Sequence, residues 1–190
     1  MDRNRKQQSP AETNVLQTVS RWVVSIVVVI VLAVFLVQML GQRLTVEGHS
    51  MEPALNAGDV VLLNHLSYHF FEIDRFDVVQ FESRETNRKT YIKRVIGMPG
   101  EKIQIQDGSI YINGERLDMG EELGNYTVPG LAENTITLKE EEYFLLGDNG
   151  DSSEDSRFAV VGNVKREQIV GKIWFRIAPF KNLGFVGNSK

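Results

Sequence analysis

Hydrophobic positions along this chain follow two regimes. From Trp22 to Leu40 the sequence reads WVVSIVVVIVLAVFLVQML, with Ser25 and Gln38 the only polar residues. As a helix rising 1.5 Å per residue, this run covers most of a hydrocarbon core roughly 30 Å thick. Its valines and isoleucines are indifferent helix formers in water. In lipid, however, every backbone polar group must be paired within the segment, so a spanning helix is predicted. A cleaved signal peptide is the bland alternative. The run exceeds the roughly 7–15-residue apolar core of such signals, and no small-x-small site closes it.

Beyond Gly41 the period changes to two. Strands are predicted at Arg43–Glu47, Asp59–Leu63, Asp77–Phe81, Thr90–Ile96, Lys102–Gln106, Ser109–Ile112, Glu142–Leu146 and Gly171–Ile177. Asp107-Gly108 and Asn113-Gly114 are hairpin signals, because both central residues of a tight hairpin turn need positive φ. Many short strands between Gly, Pro and Asn turns give a mainly β domain with antiparallel sheets. Residues 115–140 are acidic and weakly periodic, and read as a loop-rich excursion from the core.

Charge fixes the expected orientation. Arg3, Arg5, Lys6 and Arg21 precede or border the apolar run, against Asp2 and Glu12; after it the first basic residues are Arg43 and Arg75. The positive-inside rule then makes 1–21 a cytoplasmic tail, 22–40 a transmembrane helix and 41–190 an extracytoplasmic domain in a single-pass membrane protein. Of the 21 basic and 25 acidic residues, four and two lie in positions 1–40, leaving 17 and 23 in the outer domain. A formal charge of -4 overall gives no basic footprint, so nucleic acid is not an expected partner. The chain has no cysteine, which removes disulfides, thiolate metal sites and cysteine nucleophiles together. Hydrophobic content of 42% against 24% charged argues for a folded chain rather than a disordered one.

The candidate chemistry begins at Glu47-Gly48-His49-Ser50-Met51-Glu52-Pro53, where a strand must stop and turn. A nucleophilic serine needs a base. His49 adjoins Ser50, and neighbours in extended backbone point to opposite faces; His65 and His69 lie in an aromatic, loop-like stretch. Lys93 shares a strand face with Tyr91 and Val95, opposite Ile92, Arg94 and Ile96. At a strand edge it would snorkel to water. Buried, it would lose proton affinity and become a competent base near neutral pH.

A third cluster, Gly147-Asp148-Asn149-Gly150-Asp151-Ser152-Ser153-Glu154-Asp155-Ser156-Arg157, reads as a loop bonded to its own backbone. Arg157 is placed to clamp Asp148 or Asp155 through its planar fork. A calcium loop fits poorly: counted from Asp151, the sixth position is Ser156 and the twelfth Gly162. No HExxH, SxxK, GxSxG or phosphate-binding glycine loop is present, and neither metal nor cofactor is expected. The Asn125-Tyr126-Thr127 sequon matters only in a glycosylating pathway.

In this order, behind an anchor, these segments closely resemble bacterial type I signal peptidases. The resemblance rests on Gly48–Leu55, Gly58-Asp59-Val60-Val61, Arg75–Val79, Tyr91–Glu101, Gly147-Asp148-Asn149, Ser153, Asp155-Ser156-Arg157, Gly171–Arg176 and Pro179-Phe180. It implies a β-rich catalytic core with a smaller inserted β/loop lobe, approximately 102–141. Ser50 would be the nucleophile and Lys93 the general base of a Ser-Lys dyad. Ser153 would orient the lysine amine by a hydrogen bond, while Asp148, Asp155 and Arg157 support the site and Met51 and Pro53 shape the serine turn. The Ser50 backbone N–H would donate to the oxyanion.

The implied partners are the lipid bilayer and exported preproteins whose signal peptides are cut after small residues. Gly48 departs from members that carry an oxyanion-binding serine there, and Gly150 stands where an arginine is usual. The short chain and single anchor resemble Gram-positive members.

Nine residues separate Leu40 from Ser50, at most about 33 Å of extended chain, which would keep the serine near the outer leaflet. Phe180 is a candidate for lipid contact. Two rivals would use the same sequence differently: a non-catalytic, membrane-tethered scaffold domain, and a self-cleaving repressor-type Ser-Lys peptidase. The second would be expected to carry a DNA-binding segment and no anchor. A sortase-like transpeptidase is excluded by the missing cysteine.

Overall fold

A computed structural model describes residues 10–65, 67–83, 89–119 and 126–187. The chain divides into two compact units, Met1–Met39 and Leu40–Lys190. The first is built on a helix, Pro10–Leu40, which begins well before the apolar run. Proline is tolerated at a first helical position because its missing N–H would be unpaired there. Ala11, Glu12, Leu16 and Gln17 are good helix formers, so the helix extends through the polar stretch. Its window Gln17–Leu36 has a mean hydropathy of 2.7, long and apolar enough to cross a membrane. Apolar side chains around it, such as Trp22 at 68%, are exposed within the protein, so they require an apolar medium.

The second unit contains the strands, named in chain order. They are β1 (Gln42–Thr45), β2 (Val60–Asn64), β3 (Val78–Glu82), β4 (Thr90–Gly97), β5 (Lys102–Gln106) and β6 (Ser109–Ile112). There follow β7 (Glu115–Arg116), β8 (Ile136–Thr137), β9 (Glu142–Leu146), β10 (Val164–Lys165), β11 (Ile169–Ala178) and β12 (Gly184–Phe185). All eight expected strands are present, with ends shifted by two residues at most. The two-residue strands β7, β8, β10 and β12 escaped the sequence reading because two residues carry no period. Two of them, β7 and β8, lie in the stretch read as loop.

Every pairing is antiparallel. The larger sheet runs β1-β2-β11-β3-β4-β9-β10, with β12 added on β11; the smaller runs β7-β6-β5-β8. The β5–β6 hairpin closes at Asp107 (φ 49°) and Gly108 (φ 73°), and the β6–β7 hairpin at Asn113 (φ 54°) and Gly114 (φ 88°). Both turns take the left-handed backbone that the sequence signals called for.

Strand β4 lies between β3 and β9 and is buried on both faces. Tyr91 and Val95 join Phe81, Val79, Tyr143 and Leu145 in one cluster. Ile96 joins Phe144, Leu146 and the isoleucines of β5 and β6 in a second, so the two sheets share a core. Ile92 packs on a third, with Val46, Met51, Leu55, Val61 and Ile173. This burial explains why β4 has no polar face to alternate with: its charged side chains, Lys93 and Arg94, are themselves buried.

Candidate active site

The serine turn is anchored by its apolar neighbours. Met51 and Leu55 are buried in the core beside Val46, and the Leu55 N–H donates to the Met51 carbonyl at 2.8 Å. Arg176 of β11 donates to the Ala54 carbonyl at 3.0 Å and to Asp59 Oδ2 at 2.9 Å, and the Asn56 N–H donates to that same carboxylate oxygen. The Glu52–Pro53 peptide is cis. Gly48, before the serine, has φ 77° with open space where a side chain would project. The core residues therefore fix the turn from below and leave Ser50 at its rim.

Strand β4 brings Lys93 to that rim. The Lys93 Nζ lies 2.7 Å from Ser50 Oγ, and donates to the Ile92 carbonyl at 3.1 Å. Lys93 is 2% exposed, with the Tyr91 ring centroid 5.7 Å from the nitrogen. Burial disfavours the ammonium and lowers the Lys93 pKa from 10.5 to about 8, although Asp155, Asp148 and Glu154 pull the other way. At neutral pH part of the population is thus a neutral amine in hydrogen-bond contact with a hydroxyl. An amine and a hydroxyl so placed can exchange a proton directly.

The 147–157 loop completes the site. Arg94, the residue after Lys93, holds Asp148 in a buried fork, Nε to Oδ1 at 2.7 Å and a terminal nitrogen to Oδ2 at 2.6 Å. Arg157 holds Asp155 in a second buried fork at 2.8 and 3.0 Å, and its remaining donors reach the carbonyls of Val128 and Gly150. The Asn149 N–H donates to the Ser50 carbonyl at 3.0 Å, which ties the loop to the serine turn. Gly147 passes so close that an added Cβ would lie 2.2 Å from Ser153 Oγ and 2.4 Å from the Ser50 carbonyl oxygen. No other residue type fits there.

Against a family model described as signal peptidase, peptidase S26, the match spans residues 19–178, most of the chain. The chain belongs to this signal peptidase family. It is 36% identical over 176 residues to signal peptidase I of Bacillus caldolyticus, covering 86% of this chain and 92% of that protein. It is 30% identical over 184 residues to signal peptidase IB of Staphylococcus aureus, covering 89% and 94%. A crystal structure of a signal peptidase I from Enterococcus faecalis shares 32% identity, covers 54% of this chain and 97% of its own, and superposes with a TM-score of 0.43. The activity is that of signal peptidase I, a serine endopeptidase.

Within this signal peptidase, the structure brings Ser50, Lys93, Asp148, Ser153, Asp155 and Arg157 into one neighbourhood. The two histidines whose side chains are described take no part. His49 is exposed and pairs with Glu52 at 2.7 Å, and His65 Nε2 contacts Gln42 at 3.2 Å; the His69 side chain lies outside the described residues.

Of the two carboxylates open to Arg157, Asp155 is its partner, and Asp148 belongs to Arg94. Sequence reasoning missed Arg94, although its place between Ile92 and Ile96 was the signal: a charge on a buried stripe needs a buried counter-charge. The hydrogen bond expected from Ser153 to the lysine is not formed here, because Ser153 Oγ is buried without a partner. The Gly150 carbonyl accepts from Arg157. Of the sequon, Asn125 lies outside the described residues and Tyr126 is buried.

Proposed function

We propose that Ser50 and Lys93 form the catalytic dyad of this signal peptidase. The reading is carried by the 2.7 Å contact between the Ser50 hydroxyl and the amine of Lys93, a residue 2% exposed. Neutral Lys93 takes the Ser50 proton as Oγ bonds to the scissile carbonyl carbon, and the Ser50 backbone N–H donates to the resulting oxyanion. Collapse breaks the C–N bond, and the Lys93 ammonium returns its proton to the leaving amine. Water then gives a proton to Lys93 and attacks the acyl-enzyme ester. The ester bond breaks, and Ser50 recovers its proton from Lys93.

Ser153 is proposed as the group that positions the amine during turnover. A buried hydroxyl with no partner is costly, which favours a partner that arrives in another state of the reaction. Asp148, Asp155 and Arg157 act as supports through their ion pairs.

The substrates are proposed to be exported preproteins with small residues at the first and third positions before the cut. They would bind as an added strand. On the β9 side, β4 pairs only from Arg94 onward, and among the described residues Thr90–Lys93 face no strand there. That free edge leads to the dyad. The N-terminal helix serves as a membrane anchor with the tail inside and the catalytic domain outside, supported by the charge bias of its flanks. Phe180 and Phe185, 87% and 80% exposed, are proposed to touch lipid.

Preprotein cleavage by Ser50→Ala and Lys93→Ala variants tests the dyad. Both should retain the β-rich circular dichroism spectrum and lose cleavage. A folded variant that still processes preprotein refutes the assignment of these two residues as the dyad.

A further inference from the structure

The 147–157 loop touches Ser50 through Asn149, which donates to the Ser50 carbonyl, and holds the neighbour of Lys93 through Asp148, which pairs with Arg94. What holds this loop comes in part from the second sheet. Tyr126 bridges to Gly108 in the β5–β6 hairpin, with its N–H donating to the Gly108 carbonyl at 3.2 Å. Its ring is buried among Ile96, Ile103, Ile105 and Phe144, and the Arg157 guanidinium carbon stands 5.0 Å from the ring centre. Its hydroxyl donates to the Gly147 carbonyl at 3.0 Å.

Gly147 is the wedge between Ser153 Oγ and the Ser50 carbonyl. Its N–H is taken by Asp155 Oδ2 at 3.2 Å, so the Tyr126 bond completes the pinning of both its polar groups. We propose that Tyr126 is a positioning residue for the peptidase reaction: its hydroxyl fixes Gly147, and through Gly147 the alignment of Ser50 with Lys93.

The inference rests on the dyad reading above and gives the second sheet a part in catalysis. Tyr126 touches no reacting atom. Burial and the nearby Asp148 and Asp155 push its pKa up, which keeps the phenol a donor at every working pH. A side chain that merely filled the core would need the ring and not the hydroxyl. The charges around Lys93 are Asp148, Asp155 and Glu154 of the loop and Lys89 ahead of β4, and none changes when that hydroxyl is removed.

The test is Tyr126→Phe in the full chain in detergent micelles, with a fluorogenic signal-peptide substrate. The Gly147 carbonyl is left buried and unpaired, so the loop is expected to shift and kcat to fall about tenfold, with KM within about threefold. The acid limb of the pH profile should move to higher pH, because a loosened loop admits water to Lys93. Thr127→Val, which removes the exposed bond from Thr127 to Asp151 in the same segment, should leave both unchanged. A lower melting temperature with wild-type kcat and pH profile, measured where the variant is folded, overturns the proposal.

Should Tyr126→Phe fail to fold, hydrogen exchange of the wild-type enzyme decides. The Asn149 amide should exchange as slowly as those of β4, and exchange at the rate of an exposed turn overturns the clamp. Cleavage by Ser50→Ala would instead sink the dyad reading, whatever Tyr126→Phe does.

Discussion

Burying Lys93 lowers its pKa from 10.5 to about 8, and this has two measurable consequences of opposite sign for activity and stability. For activity, in the proposed dyad only the neutral amine accepts the serine proton. With a pKa of about 8, about half of the sites are active at pH 8, a tenth at pH 7 and a hundredth at pH 6. The expected kcat/KM therefore climbs close to tenfold per pH unit below about 8 and levels above it. For stability, the unfolded lysine binds a proton more tightly than the folded one, so the unfolded state holds more protons between pH 8 and 10.5. Stability must rise with pH across that window. Below pH 8 the full difference is a standing penalty of about 3 kcal/mol.

Replacing the amine by an apolar chain of similar length removes that penalty, and also the bonds to Ser50 Oγ and the Ile92 carbonyl. Lys93→Met is expected to abolish cleavage and stabilise the fold at pH 7 by about 2 kcal/mol. For a chain of this size that raises the melting temperature by about 4–8 °C. The gain should vanish at about pH 10 and turn into a small loss above about pH 11, where the wild-type amine is neutral in both states and only the lost bonds count. The assay is thermal unfolding in micelles at pH 7 and pH 10, beside cleavage from pH 5 to 9. A variant less stable than wild type at pH 7, or a rate flat from pH 5 to 9, would show that the lysine is not a desolvated base.

Further outcomes are as specific. Ser153→Ala removes a hydroxyl that bonds to nothing in this state, so unfolding should show no loss of stability while kcat falls; a large destabilisation with normal kcat would contradict its role. Arg94→Met leaves the Asp148 carboxylate buried and unpaired and should cost about 3–5 kcal/mol in denaturant unfolding. The Arg94→Met, Asp148→Leu double variant should recover most of that loss; equal instability of the two would mean the pair is not the cause. Phe180→Asp places a charge on one of the most exposed aromatics and should weaken vesicle binding of the enzyme's outer domain without changing cleavage of a soluble peptide; unchanged vesicle affinity counts against lipid contact.

How far the sequence reveals this molecule depends on the range of each interaction. The eight longer strands and the two hairpins were legible because period two and the Asp-Gly and Asn-Gly pairs act within a few residues. Lys93 was legible as a candidate because its own strand neighbours, Tyr91 and Val95, are apolar. Its partner was not derivable that way, since Ser50 is 43 positions distant and only the family resemblance joined the two boxes. The same limit explains the ion pairs. Arg157 and Asp155 are two residues apart and could be guessed, whereas Arg94 and Asp148 are 54 apart and meet only because β4 pairs with β9 at Arg94 and Leu146.

Tyr126 was less visible still, in a stretch with no strand period, where its neighbours suggested a loop. Yet the second sheet holds it against Gly147. On the proposed reading, two sheets that share one core also share one site: the larger sheet would supply the base and, beside its first strand, the nucleophile, and the smaller one would steady the loop that both lean on. If so, substitutions in the shared core that leave the dyad untouched should change kcat in proportion to how much they move Gly147.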